Sequence, residues 1–398
     1  MAITDKKTGP WGLDQVYNKI NQGSIWAYAG DADEPGTLWG WGDGSTGRLG
    51  HNNQVRYSSP VQVGSGDSWN DLGSDGRILS TNGGIKDDGT LWVWGDNSDG
   101  KLGQNQAPAQ LGQVSAPIQI PGTTWSKFTR SSNMVAGIKS DNTLWMWGRG
   151  KKGGLGQNTS GSNSYYSSPV QVPGTWSSVS CAYGYTGAVK TDGTLWTWGI
   201  NTDGQLGHNE TTDYSSPVQV PGTNWAFTYV AERELWASKT NGELYGIGLN
   251  NVGQLGQNTS GDNSFYSSPV QIPGTWAVGK NKMAAGYFNF YGVKGDGTLW
   301  SWGTGAYNSN GHNNQTNYSS PVQIGAGTDW TNVAAGTVQA GAIKTDATLW
   351  TWGTNSDGQL GQNSRTTINS PVQVPGSWRL GDGSLISGWG GFMAIKQP

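Results

Sequence analysis

The chain has 398 residues, of which 13% are charged, and it contains 65 glycines and 23 tryptophans. A formal net charge of −3 offers no basic excess for phosphates or an anionic membrane surface, which argues against sequence-independent nucleic-acid binding, and no run approaches the roughly eighteen apolar residues of a membrane span, so membrane insertion is not expected. The lone cysteine, Cys181, excludes an intramolecular disulfide framework, and a chain this poor in charge and rich in glycine and tryptophan is expected to be turn-rich and β-structured.

In chain order, residues 1–35 form a leader distinct from the rest of the chain. Residues 1–10 are polar and lack the apolar stretch of a secretory signal, so synthesis in the cytoplasm without a signal peptide is expected. Leu13, Val16, Tyr17 and Ile20 fall at i, i+3, i+4 and i+7, with Asp14 near the start, which predicts a short amphipathic helix. Such a helix is marginal alone and must dock on something. Together with Trp11, these four side chains form a candidate anchor.

From residue 36 to 398 the chain repeats. The pentapeptide Leu-Trp-x-Trp-Gly begins at Leu38, Leu91, Leu144, Leu195, Leu299 and Leu349, and a degenerate copy begins at Leu244; the seven copies lie 49 to 55 residues apart. On a strand its two tryptophans share one face and its leucine takes the other, so both faces are expected to be buried. Upstream stands Ala-x-Lys-x-Asp-Gly-Thr, as at Ala188 to Thr194, where Asp-Gly is a hairpin signal. Downstream stands Asn-x-x-Gly-x-Leu-Gly, a glycine-punctuated turn, and then Ser-Ser-Pro-Val-Gln or a variant. The proline cannot donate to a ladder, which assigns its strand to a start or an edge. Each repeat therefore supplies about four short strands, the content of one propeller blade.

The ends of the chain complete the pattern. The first pentapeptide lacks the standard upstream strand, whereas Phe392-Met393-Ala394-Ile395-Lys396 matches that strand and has no pentapeptide after it. The terminal strand is thus expected to pair beside Leu38 in a composite blade, with residues 25–29 as the competing occupant of the slot. The predicted fold is an all-β, seven-bladed β-propeller closed by its N- and C-terminal strands, with a short N-terminal extension containing a helix.

The residues that could suggest chemistry have simpler explanations. His51, His208 and His312 occupy a repeat slot that Gln104, Gln157, Gln257 and Gln362 fill elsewhere, which points to local hydrogen bonding rather than to metal binding or catalysis. Gly148-Arg149-Gly150-Lys151-Lys152-Gly153 matches G-x-G-x-x-G but falls on a blade turn, not between a strand and a helix. Asp31, Asp33 and Glu34 lack the spacing of a calcium loop. No catalytic residue, metal site or cofactor is therefore assigned, and the chain is expected not to be an enzyme. Arg149, Lys151 and Lys152, with Tyr165, Tyr166, Phe265 and Tyr266 in the longer loops, are the candidate partner-binding residues; Asn, Ser, Gly and Tyr suit adaptable recognition.

Leu-x-x-Trp-Gly, Asn-x-x-Gly-Gln-Leu-Gly and Ser-Ser-Pro-Val-Gln at a period near fifty resemble the repeats of the regulator of chromosome condensation family over residues 36 to 398. The resemblance implies a seven-bladed propeller and, by analogy with the founding member, exchange on a small GTPase or chromatin binding; no basic tail and no large blade insertion accompany it here. The tryptophan-rich, charge-poor version also resembles repeats of tailed-bacteriophage structural proteins. That resemblance implies a virion protein made in the host cytoplasm, with the leader binding other virion proteins and the propeller meeting a host receptor or glycan.

Overall fold

The computed structural model describes residues 35–397 apart from 67, 74–79, 107, 160 and 162–164. The leader helix, the anchor residues, the acidic run and residues 25–29 all lie outside the described residues.

Seven four-stranded antiparallel sheets are arranged as blades 1 to 7. Blade 4 shows the plan: Trp176–Cys181 is innermost, followed outward by Tyr185–Lys190, Leu195–Gly199 and Tyr214–Val220. Blade 1 is composite. Its pentapeptide strand Thr37–Gly42 pairs on one side with Tyr57–Gln62 and on the other with Gly391–Lys396, in register Leu38 to Ile395, and Leu385–Ser387 completes the sheet inside. The C-terminal strand therefore occupies the closing slot.

The repeat residues explain the hairpin between the second and third strands. In blade 4 the Gly193 amide donates to Lys190 O at 3.0 Å while Gly193 sits at φ +78°, a left-handed position that favours glycine. Asp192 Oδ1 accepts from the Thr194 amide and hydroxyl at 3.0 and 2.6 Å, and the hydroxyl in turn accepts from Trp196 Nε1 at 2.8 Å. Asp-Gly-Thr-Leu-Trp is thus one hydrogen-bonded turn.

Two kinds of bond join neighbouring blades. Trp94, Trp147, Trp198, Trp302 and Trp352, the second tryptophans of their pentapeptides, donate Nε1 to a turn carbonyl of the preceding blade at 2.7–3.0 Å. Trp41 closes the circle by donating to Gln359 O of blade 7 at 2.9 Å. Blade 5 has Ile247 in that place. Outside this ring of indoles runs a ring of amides: Asn52, Asn105, Asn158, Asn209, Asn258, Asn313 and Asn363 each donate from the backbone to a Ser or Asn carbonyl in the outer strand of the following blade. The acceptor is the Ser of Ser-Ser-Pro in five of these, and the last bond, Asn363 to Ser58, again closes the ring. The proline lies in the outermost strand at an irregularity of the ladder, as between Tyr214 and Val218 in blade 4, so no ladder donor is missed.

The expectation that both pentapeptide tryptophans are core residues needs correction. Trp41, Trp94, Trp147, Trp198, Trp302 and Trp352 are fully buried, but the first tryptophan is half-buried, as at Trp39, Trp196 and Trp350. The Ala-x-Lys lysine covers it. Lys190 Nζ lies 3.7 Å from the Trp196 ring centroid and 5.4 Å from that of Trp176, and lysines 86, 139, 239, 294, 344 and 396 are held between two rings in the same way. Each contact contributes about 0.5–2 kcal/mol, depending on desolvation.

Candidate functional site: two faces and an axial channel

Because the strands alternate in direction, the ring has two unlike faces. One carries the tight Asp-Gly hairpins and the links from each outer strand to the next blade. The other, the loop face, carries the loops that follow the innermost strands and the Asn-x-x-Gly turns. Among the described residues the exposed large hydrophobic side chains are Val55, Tyr165, Tyr183, Phe265, Tyr307 and Trp389, between 42% and 54% exposed. All six sit on the loop face: Tyr183 and Trp389 follow innermost strands, Tyr307 and Val55 lie in turns, and Tyr165 and Phe265 open outer strands.

The residues singled out in the sequence fall on this face but do not form one patch. Tyr165 and Phe265 project from blades 3 and 5, on either side of blade 4, whereas Tyr166 and Tyr266 are half-buried against inter-blade cores. The basic turn is not simply solvated. Arg149 pairs with Asp99 of blade 2 at 3.8 Å and Lys152 with Asp213 of blade 4 at 2.9 Å. Lys151 hydrogen-bonds the Tyr183 hydroxyl and lies 4.2 Å from its ring centroid.

The histidines behave as their exchange with glutamine implies. His51 Nε2 meets Val61 O at 3.0 Å, while Gln104, Gln157, Gln257 and Gln362 donate to the outer-strand carbonyl one repeat position further on, that of Gln119, Gln171, Gln271 and Gln373. His208 and His312 instead meet Thr197 and Ser301 hydroxyls at 2.9 Å, and partial burial lowers the pKa of all three imidazoles. Burial pushes the Cys181 thiol up to about 12, a value incompatible with nucleophilic use at neutral pH. Among the described residues no three His, Cys, Asp or Glu side chains could jointly hold a metal ion, and no helix is long and apolar enough to cross a membrane.

The axis of the ring holds what the sequence did not disclose. A cavity of about 290 Å³ is lined by innermost-strand residues of blades 2 to 5, including Asp71, Lys127, Ser178 and Phe227, and by Lys280, Asn281 and Asp382 from blades 6 and 1. Asp71 and Asp382 make a carboxylate pair at the ring centre, the arrangement that would favour acid–base chemistry. The Asp382 pKa is raised, mainly by partial burial and least by the charge of Asp71. Each carboxylate is nevertheless matched by a lysine: Asp71 accepts from Lys280 with both oxygens, and Asp382 lies 3.9 Å from Lys282. A cue existed in the sequence. From the innermost-strand tryptophan to the next strand is 9 residues in blades 3, 4, 5 and 7 but 13 in blades 6 and 1, and the extra residues carry Lys280, Lys282 and Asp382.

Comparison with known proteins agrees with this architecture. The ultraviolet-B receptor UVR8 of Arabidopsis thaliana is 27% identical over 302 residues, covering 72% of this chain and 52% of that protein. The human E3 ubiquitin-protein ligase HERC2 is 30% identical over 188 residues, 44% of this chain but 4% of that protein. The chain thus spans about half of the first relative and a small part of the second. Among solved structures, Prp20p of Saccharomyces cerevisiae superposes with a TM-score of 0.78 at 17% identity, covering 92% of each chain. Human WBSCR16 superposes at 0.76 with 18% identity, covering 91% of this chain and all of that one. The model of the regulator of chromosome condensation (RCC1) repeat matches residues 35–70, 141–189, 192–231, 241–288 and 346–379. These stretches run through blades 1, 3, 4, 5, 6 and 7 of a ring whose repeat signature returns in every blade, and the chain belongs to the RCC1 repeat family.

Proposed function

We propose that this propeller is a non-catalytic regulator that recognises a protein partner through its loop face. One observation carries the reading: every exposed large hydrophobic side chain among the described residues lies on that face. Isolated apolar residues on a monomer's surface need no explanation, but confinement of all of them to one side marks a surface for association. Tyrosine and tryptophan are also the side chains that most often anchor such contacts. Prp20p is described by its binding to Gsp1p and histones, and a solved complex holds yeast RCC1 bound to Kap60; a protein that shares this fold thus binds other proteins. For this chain the partner class follows as a small GTPase or a chromatin protein. A virion role rests on composition and on the leader, and neither the fold nor the matched relatives add to it.

The test is nucleotide release from a panel of purified small GTPases, run beside binding to reconstituted nucleosomes. Acceleration of release at least tenfold, or saturable nucleosome binding, is expected for the full chain, with loss on combining Tyr183→Ser, Tyr307→Ser and Trp389→Ser. Neither activity with any partner, or full activity of the triple variant, overturns the proposal.

A further inference from the structure

The axial channel is not an open bore. The extra residues of blades 6 and 1 fold into it and lock together: Asn281 Nδ2 donates to Leu385 O at 2.9 Å, and the Gly383 amide donates to Asn281 Oδ1 at 2.7 Å. Lys280 then crosses the axis from blade 6 to Asp71 of blade 2, 2.6 Å from Oδ2. These loops fill the sector bounded by blades 6, 7, 1 and 2. What remains is an off-axis cavity of about 290 Å³ against blades 3, 4 and 5, near the lower limit of small-ligand sites.

Its wall combines an apolar surface with an anion anchor. Phe128, Val179, Phe227 and Met283 supply the surface. Lys127 reaches from blade 3 to the Ser177 carbonyl of blade 4, while the channel carboxylates Asp71 and Asp382 are matched to Lys280 and Lys282. An ammonium has three donors, so two remain for a ligand. Next to that carbonyl stands Ser178, 6% exposed, which lines the cavity and can offer its hydroxyl to a ligand. Burial, and to a lesser degree the charge of Lys280, lower the Lys127 pKa against the opposing pull of Asp71 and Asp382.

We propose that this cavity binds a monocarboxylate bearing an apolar, ring-sized body, with the carboxylate on Lys127 and Ser178 and the body against Phe128, Val179, Phe227 and Met283. A single open ammonium flanked by two carboxylates suits one negative charge and disfavours a phosphate dianion. The cavity shares Asp71, Ser126 and Asp382 with a depression on the hairpin face that includes Lys86 and Asp87, so its mouth lies opposite the loop face and its failure would leave the proposed function untouched.

Two sources share this chemistry, a free aryl acid and the C-terminal residue of a peptide. Titration calorimetry on the full chain uses 3-phenylpropanoate and the peptide Gly-Gly-Phe with a free carboxyl terminus. The controls are 3-phenylpropanamide and the C-amidated peptide. One saturable site is expected for at least one carboxylate, and whichever binds names the source. Its neutral amide should bind at least tenfold more weakly, as should the acid to Lys127→Gln, with a several-fold loss for Ser178→Ala. No saturable binding of either acid, or equal binding of acid and amide, overturns the proposal; the amide comparison decides even where a variant fails to fold.

Discussion

Substituting Trp41→Phe cuts the seam at which the ring is closed. Trp41 is fully buried, donates Nε1 to Gln359 O at 2.9 Å across 318 residues of sequence, and packs 5.5 Å from Trp378 and 5.8 Å from Phe392 between ring centroids. Losing the bond leaves the acceptor carbonyl, in a residue 1% exposed, without this donor, which costs about 1–3 kcal/mol. The smaller ring leaves a void worth roughly 1 kcal/mol more. A destabilisation of about 2–4 kcal/mol is expected. Trp39→Phe, two residues away, provides the comparison. Trp39 is half-buried and donates to the Thr37 hydroxyl at 2.8 Å, and phenylalanine retains a face for Lys396, so its cost should stay near or below about 1 kcal/mol. Urea unfolding followed by both fluorescence and circular dichroism measures the two. Equal midpoint shifts for the two variants would refute the idea that the second indole is the inter-blade staple.

Two further expectations concern the repeat. Ala347 occupies the hairpin position held by glycine in blade 4 and sits at φ +66°; Ala347→Gly removes left-handed strain against a larger unfolded-state entropy and should stabilise by about 0.5–1 kcal/mol, read as a rise in melting temperature. The folded pKa values of His51, His208 and His312 lie below the ordinary imidazole value, so the unfolded chain takes up protons first. Stability from the neutral rings is therefore complete above about pH 6.5 and is lost as pH falls below it. His51→Gln, the residue other blades use, should flatten part of the decline in urea midpoint between pH 7.5 and 5.5, and an unchanged decline in a variant with all three replaced would contradict the assignment.

The blades were legible because each is specified locally. Leu38 and its six counterparts, the Asp-Gly-Thr turns and Ser-Ser-Pro each encode a strand, a hairpin or an edge at fixed spacing, and the orphan strand Phe392 to Lys396 told how the ring closes. The histidine slot was legible for the same reason, since His51 and Gln104 each hydrogen-bond an outer-strand carbonyl of their own blade. The lysine between two aromatic rings was missed because it brings together three strands: Lys190 lies on the second strand of its blade, Trp176 on the first and Trp196 on the third. The channel was missed for a stronger version of that reason. Lys280 and Asp71 are 209 residues apart and meet only because blades 6 and 2 face one another across the axis. The candidate loop residues show the limit of composition as a guide to exposure: of those singled out, Tyr165 and Phe265 are exposed and Tyr166 and Tyr266 half-buried, while the exposed Tyr183, Tyr307 and Trp389 stand in loops of ordinary text.

The central claim is that one face of this ring meets a protein partner and the other does not. It is tested most directly by amide hydrogen exchange of the full chain with and without the GTPase or nucleosome that the release and binding assays identify. Protection is expected in the loops around Tyr183, Tyr307 and Trp389, while the hairpins around Asp88, Asp192 and Asp296 exchange unchanged. Protection of the hairpins with the loop face unaffected would contradict the claim.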